Sequence, residues 1–526
     1  MQFKIIFLTA RQVVIELLNE GKYETKMYDI MLNGTYLMSS NKVIQTIDNL
    51  KPKTAYSLII KRTNSTSEEL IFSTEDEFVT LNVMDFGAKG DGKQNDTVYI
   101  QAAISACPMN GRVYIPKGIY KVTSLFLKSN LTLELSEGAV LSAITDRTQF
   151  PIFPGLIESY DEKSEYNLGT WEGNPLSMFS GIITGINVSN VIICGKGTID
   201  GCASFDNWWK NAKKKNIAFR PRMIFLNQCS NVVVHGITVK NSPSWNIHPY
   251  FSNNLRFIDL CVLNPKDSPN TDGLDPESCK DVEIVGVYFS LGDDCIAIKS
   301  GKIYMGKKHK TPSENITIRN CYMKDGHGSI TIGSEMAGGV KNILVKDCVF
   351  SHTDRGLRIK TRRGRGKDGI IDGITFDNIT MDHVMTPIVI NSFYFCDPDG
   401  HTTYVRTKEA LAVDERTPYI GSLHFKQLEC NNCHVGAAFI YGLPEQKIEE
   451  VIMEDVSISF CQEAKEDVPA MMDGIEKTSK QGIYANNIRT LKLKNVSVKG
   501  AITKGLLDYN IDNLVIDSNS SEQLTK

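Results

Sequence analysis

The stretch that decides the fold runs from residue 230 to residue 350. SNVVVHGITV (230–239) returns as NNLRFIDLCVL (253–263), KDVEIVGVYF (280–289), ENITIRNCYM (314–323) and KNILVKDCVF (341–350). Each copy opens with a polar turn, carries an Asn or Asp, and then alternates apolar with polar residues. The equivalent positions Asn231, Asn254, Asp281, Asn315 and Asn342 are 23, 27, 34 and 27 residues apart. Alternation is the signature of a strand with one buried face. Recurrence every 20–50 residues without helical segments is that of a solenoid. The theme extends outward through SNVIICGKGTID (189–200), DGITFDNITM (372–381), EEVIMEDVSI (449–458), IRTLKLKNVSV (488–498) and IDNLVIDS (511–518). An immunoglobulin-like array needs roughly 80–100 residues per unit and a propeller roughly 40–45 per blade. The expected fold is therefore all-β, a parallel β-helix.

Ahead of the repeats, residues 1–76 read as a small β-sandwich. Short alternating runs (FKIIFL, VVIELL, MYDIML, KVIQTI, AYSLII, ELIFST) are separated by turn residues, as in sandwich modules. The β-helix is expected over residues 77–526. Near its start, Asp96-Thr97 is a helix N-cap signal, and Ile100, Ala103, Ile104 and Cys107 share one helical face. This helix should plug one end of the solenoid, with the Asn/Ser-rich tail trailing from the other.

Composition narrows the function classes. The chain has 526 residues, 41 % hydrophobic and 23 % charged, an ordinary globular balance. No apolar run reaches the ~20 residues of a membrane span. Lys+Arg 58 against Asp+Glu 61 offers no whole-chain argument for nucleic acid. Residues 299–367, however, hold sixteen Lys/Arg and five Asp/Glu, a local +11, which suggests an anionic ligand. The thirteen Cys read as buried thiols of a reducing compartment. The C-x-x-C pair Cys430 and Cys433 lacks the second pair that a zinc site needs. In MQFKIIFLTARQVVIELL the apolar start is short and broken by Arg11, so it reads as strand. A cytoplasmic protein is expected, with secretion as the alternative.

The chemistry-bearing residues fall one coil apart. Asp272 sits in NTDG (270–273), and Asp293 and Asp294 in GDDC (292–295), 21 residues on. His327 follows in GHG (326–328), then Arg358 and Lys360 in RIK (358–360). If each separation is one coil, these groups line one outer face. Arg358 and Lys360 point the same way, with Ile359 inward. Neighbouring carboxylates repel, so one should keep its proton and could serve as general acid. The cations would meet a ligand carboxylate, for which Arg offers a two-pronged fork. A Ca²⁺ site of three aspartates is the competing reading.

The ordered set NTDG, GDDC, GHG and RIK resembles the polygalacturonase family, glycoside hydrolase family 28, as do DFGAKGDG (85–92), GKGTIDG (195–201) and NSPSWNIHP (241–249). The resemblance implies a right-handed parallel β-helix that hydrolyses α-1,4-galacturonosidic bonds with inversion and needs no cofactor or metal. It implies galacturonate oligomers or polygalacturonate as the partner, not nucleic acid or membrane. Asp293 would be the general acid. Asp272 and Asp294 would position and deprotonate water, and His327 would maintain their protonation state. Inversion would place the carboxyls about 6.5–9.5 Å apart. Arg358, Lys360, Tyr394 (in IVINSFYF) and Asn270 would bind substrate. Lys299, Lys302, Arg362, Arg363 and Arg365 would hold sugars farther out. TRRGRG (361–366) and the long loops 146–173 and 200–222 resemble exo-acting members, whose loops block one end of the groove. Trp171, Trp208, Trp209 and Trp245 could stack on sugar or fill the core. Lys51-Pro52-Lys53-Thr54-Ala55-Tyr56 after Leu50 resembles a strand corner of fibronectin type III modules, and that module with an exo-acting catalytic domain resembles a bacterial arrangement. Endo action, a rhamnogalacturonan hydrolase, a Ca²⁺-dependent lyase and a non-catalytic pectin-binding β-helix are the alternatives.

Overall fold

The computed structural model describes residues 2–63, 65–158 and 165–524. One sheet system of 29 strands winds through the chain from residue 80 to residue 516. Its strands pair in parallel, each with the equivalent strand of the next coil. Val191 opposes Val232, Val232 opposes Leu255, Leu255 opposes Val282, and the line continues through Ile316, Ile343, Ile374, Leu423, Val451 and Leu491. All of these are 2 % exposed or less. The repeated apolar position is thus one continuous internal stack, and the fold is the expected parallel β-helix.

The recurring Asn or Asp does the turning. Asn231, Asn254, Asp281, Asn315 and Asn342 all adopt φ between 52° and 57°, the left-handed region that short polar side chains tolerate. Their amides also link coils. Asn231 donates to Asn190 at 2.7 Å, Asn315 to Asp281 at 2.9 Å and Asn342 to Asn315 at 3.3 Å.

Both ends are closed. Helix Thr97–Ala106 covers one end with Ile100, Ala103 and Ile104 buried. Asp96 precedes it but makes no side-chain cap bond. Its carboxylate instead accepts from the backbone N–H groups of Lys89 and Gly90 and from the Gln94 amide. The tail does not trail off. It forms helix Ser518–Leu524, and Leu524 is 2 % exposed in the solenoid core.

The N-terminal segment folds as two antiparallel sheets. Gln2–Leu8, Val13–Leu18 and Ile44–Ile47 form one. Thr35–Lys42, Glu24–Leu32, Ala55–Arg62, Ser65–Thr66 and Leu70–Ser73 form the other. Their shared core continues into Val233, Ile258 and Val285 on the flank of the β-helix. Lys42–Asp259 (2.7 Å) and Arg319–Glu16 (2.6 Å) pin the seam. The Lys51 N–H donates to the Tyr56 hydroxyl at 2.8 Å, closing a strand corner. Two clefts of about 390 Å³ each lie along this seam, away from the acids described next.

Candidate active site

The coil spacing brings the acids together. The Gly273 N–H bonds the Asp294 carbonyl at 3.0 Å, and the Cys295 N–H bonds the Gly328 carbonyl at 2.8 Å, so NTDG, GDDC and GHG lie on adjacent rungs. One oxygen each of Asp272, Asp293 and Asp294 falls within 4.8 Å of the others. Asp272 and Asp294 are buried and Asp293 is partly exposed. The glycines around His327 permit this closeness. Gly326 has φ +82°, and a Cβ there would meet the Asp293 carbonyl at 2.4 Å. One on Gly328 would meet Thr331 Oγ1 at 2.4 Å and Asp294 Oδ1 at 2.9 Å.

The three carboxyls are electrostatically distinct. Burial alone would raise Asp294, but Lys360 and Arg358 outweigh it and hold this carboxyl well below the usual range. Arg358 Nη1 donates to its Oδ1 at 3.1 Å and Lys360 Nζ to its Oδ2 at 2.8 Å. The two cations are therefore already paired, with Asp294. Asp272 goes the other way. Burial, then Asp275 and Asp293, raise it well above the ordinary value, against Lys299 at 3.9 Å. The two carboxyls are thus pushed in opposite directions, Asp272 toward its protonated form and Asp294 toward its ionised form. Inversion needs room for a water between carboxyls, and the nearest oxygens of the three lie within 4.8 Å of one another. A water bonded at about 2.7 Å to each of two oxygens spans a separation of this size.

His327 does not bond the acid triad through its ring. Its Nδ1 pairs with Asp354 at 2.8 Å, and this pair raises the imidazole, with Asp293 and Asp294 adding to the effect. Asp354 was not singled out in the sequence. It lies in a turn four residues before Arg358, where an Asp is ordinarily turn chemistry. Sequence reading also missed the buried acids beneath the triad. Asp275 (0 % exposed) lies 3.8 Å from Lys299, and Glu335 lies 3.2 Å from it. Burial raises Glu335 but Lys299 and Lys302 prevail, pulling it down to about 2, whereas burial pushes Glu277 up to about 7.

Several residues expected to contact substrate already have partners within the protein. Lys299 is 3 % exposed, enclosed by Asp272, Asp275 and Glu335 and 4.5 Å from the Trp245 ring, so it is a buried counter-ion. Arg363 is 1 % exposed, and all five of its N–H donors are used on Glu445 and the carbonyls of Tyr404, Thr407 and Glu409. Arg362 and Arg365 pair with Asp397, and Lys302 does so at 2.8 Å. Part of the local +11 is thus paired with acids outside its window. Asn270 accepts from Arg220 at 2.6 Å. Tyr394 is 6 % exposed, with Lys360 Nζ 5.7 Å from its ring centre, where it steadies the lysine. All four Trp are buried; the stacked Trp171 and Trp245 lie 4.7 and 4.5 Å from the Arg222 guanidinium. They pack and do not offer an open face to sugar.

The triad is the one acid, His or Cys cluster with metal-binding spacing among the described residues. Its fit to Ca²⁺ is poor. That ion needs six to eight oxygens, and Asp294 already turns both of its own to cations.

Comparison with known proteins agrees with this constellation. The model of the family described as glycosyl hydrolases family 28 matches residues 161–470. A probable polygalacturonase of Vitis vinifera is 30 % identical over 413 residues, covering 76 % of this chain and 79 % of that one. An exo-poly-alpha-D-galacturonosidase of Dickeya chrysanthemi is 26 % identical over 423 residues, 69 % of this chain and 66 % of the relative. In fold, the chain matches a family 28 exopolygalacturonase of Yersinia enterocolitica with a TM-score of 0.73 at 19 % identity over 99 % of both chains. A hyperthermoactive exopolygalacturonase of Thermotoga maritima gives 0.63 at 25 % identity over 80 % and 92 %.

Proposed function

The chain belongs to glycosyl hydrolases family 28, and from that premise we propose that it hydrolyses α-1,4-galacturonosidic bonds in polygalacturonate or galacturonate oligomers, working from a chain end. The observation that carries the reading is the partly exposed Asp293 beside the buried Asp294–Arg358–Lys360 group. Asp293 is the member of the triad that reaches the groove, so it donates the proton to the departing sugar oxygen. Asp294, ionised, takes the proton of a water shared with Asp272. Arg358 and Lys360 each carry more N–H donors than they spend on Asp294, which leaves capacity for a uronate carboxylate. Direct attack by Asp294 would require an oxygen free of its two cations, so water attack with inversion is favoured. Proton NMR of the first product's anomeric signal tests this.

End-on action is supported by the loop 146–173. Its Thr170 carbonyl accepts from Arg222 and its Gly173 carbonyl accepts from the Lys302 N–H at 2.9 Å, while Trp171 stacks on Phe219 at 4.7 Å. Residues 170–173 are thereby fastened next to Arg222 and Lys302, and we read the loop as closing one end of the groove that holds the acids. The names of the Dickeya, Yersinia and Thermotoga relatives point the same way. The corner made by Tyr56 supports reading the N-terminal sandwich as fibronectin type III-like.

The test is a time course of products from polygalacturonate and a galacturonate hexamer, separated by size, with and without EDTA. One small saturated product from the earliest time is expected, insensitive to EDTA. A ladder of intermediates would mean endo action. An unsaturated, ultraviolet-absorbing product lost with EDTA would mean a lyase, and no cleavage of either substrate would overturn the galacturonan assignment.

A further inference from the structure

The segment 467–478 packs next to Arg358, one of the two cations held by Asp294. It starts and ends at one point, because Asp467 and Thr478 form an antiparallel bridge with bonds of 3.2 and 2.9 Å. Between them the chain is held on the outer face of the coils that follow Arg358. Arg355 donates to the Val468 carbonyl at 2.9 Å, Asn391 to the Met471 carbonyl at 2.9 Å, and Tyr394 bridges Met472. Ala470 and Met472 bury themselves among Val389, Phe393, Phe439 and Leu443. In register, Arg358 opposes Val389 on the next coil and Val389 opposes Phe439 on the one after. The surface along which a bound chain would continue past Arg358 is therefore already covered.

Met471 is the part of the segment that meets the site. Its Sδ lies 3.0 Å from Arg358 Nη2. A thioether is a weak acceptor, so this arm of the guanidinium faces a neutral wall.

We propose that segment 467–478 is a second wall of the groove, opposite loop 146–173, and that Met471 is a specificity-determining residue marking where the sugar chain must stop or turn outward. The open face then runs from the Asp275 strand to the Arg358 strand. That is three strand spacings by the register Asp275–Ala297–Thr331–Arg358, or about 14 Å. Such a pocket takes a chain end of a few sugars and not the interior of a polymer. The proposal rests on the galacturonan reading and concerns chain length alone.

The test compares kcat/KM for galacturonate dimer through hexamer in the parent protein, in Met471→Gly, and in a variant with residues 468–477 replaced by a two-residue Gly-Asn turn between Asp467 and Thr478. Circular dichroism and the thermal midpoint establish that each variant is folded. In the parent, kcat/KM should stop rising once the pocket is full. In either folded variant the hexamer-to-trimer ratio should rise by about tenfold, the scale of one added contact. A ratio unchanged in a folded variant, or a parent whose kcat/KM still climbs at the hexamer, would overturn the second wall. Absence of turnover on every oligomer by the parent would strike the galacturonan reading, a distinct failure.

Discussion

Asp354 gives the sharpest test of how the site is tuned. Its carboxylate lies 2.8 Å from His327 Nδ1 and stabilises the imidazolium, so His327 keeps its proton to higher pH than a free histidine would. Asp293 and Asp294 pull the same way, and Arg355, 3.5 Å from Asp354, shares that carboxylate. In Asp354→Asn the leading contribution disappears and the imidazole deprotonates at lower pH. If the working site needs the imidazolium, the alkaline limb of kcat/KM must move down. The pair is open to water, with side chains 53 % and 39 % exposed, so the strength of an exposed ion pair applies, about 0.3–1 kcal/mol. At 1.36 kcal/mol per pH unit this is a shift of roughly half a unit. It should shrink in 1 M salt, where screening reaches ~3 Å. Stability carries the same sign. A raised imidazole stabilises the fold fully below its unfolded value near 6.5. The parent's advantage over Asp354→Asn should therefore exist at pH 5 and fade as pH rises through the folded value. The assay is reducing-sugar release from a galacturonate trimer at constant ionic strength across pH. An alkaline limb that stays put, or moves up, would refute the account of His327.

Three other outcomes are expected. Asp293→Asn should keep its thermal midpoint and lose about 10²–10⁴ in kcat, the range for general acid–base catalysis; near-normal turnover would remove Asp293 from that role. Lys360→Met leaves the buried Asp294 with Arg358 alone, at a cost of about 3 kcal/mol in denaturant unfolding. In the parent, Asp294 stabilises above pH ~4, and this is lost as pH falls through its depressed folded value, so the difference between the two proteins should narrow in acid. Arg363→Ala should lower the unfolding midpoint sharply, since Glu445 is left buried without its cation, while KM for a trimer stays put; a raised KM at unchanged stability would restore Arg363 as a sugar contact.

What was legible in the sequence follows the physics of a solenoid. A coil stacks on its neighbour through positions a fixed distance away, so Val232, Leu255 and Val282 and the turn residues Asn231 and Asn254 show in one dimension what they do in three. The same property made Asp272, Asp293 and Asp294 legible as one site. The terminal helix Ser518–Leu524 was not, because its one deeply buried apolar anchor, Leu524, leaves no periodic pattern to read.

Charge pairing follows no such rule, and this is why the basic stretch misled. A window of sequence counts only charges near in the chain, whereas a guanidinium is neutralised by whatever the fold brings within a few ångströms. Arg363 finds Glu445, 82 residues away, and Arg362 and Arg365 find Asp397. A buried arginine without such a partner would be very costly, so 1–3 % exposure of all three already implies acids arriving from elsewhere. Besides the deeply buried Lys299, the cations facing the acid triad are then Arg358 and Lys360, each 8 % exposed. They too are held by a carboxylate, but by Asp294, a member of the triad itself. A uronate bound there competes for donors that keep Asp294 ionised. Its binding would weaken that hold and raise the basicity of Asp294 as the substrate arrives, when a stronger base is of use.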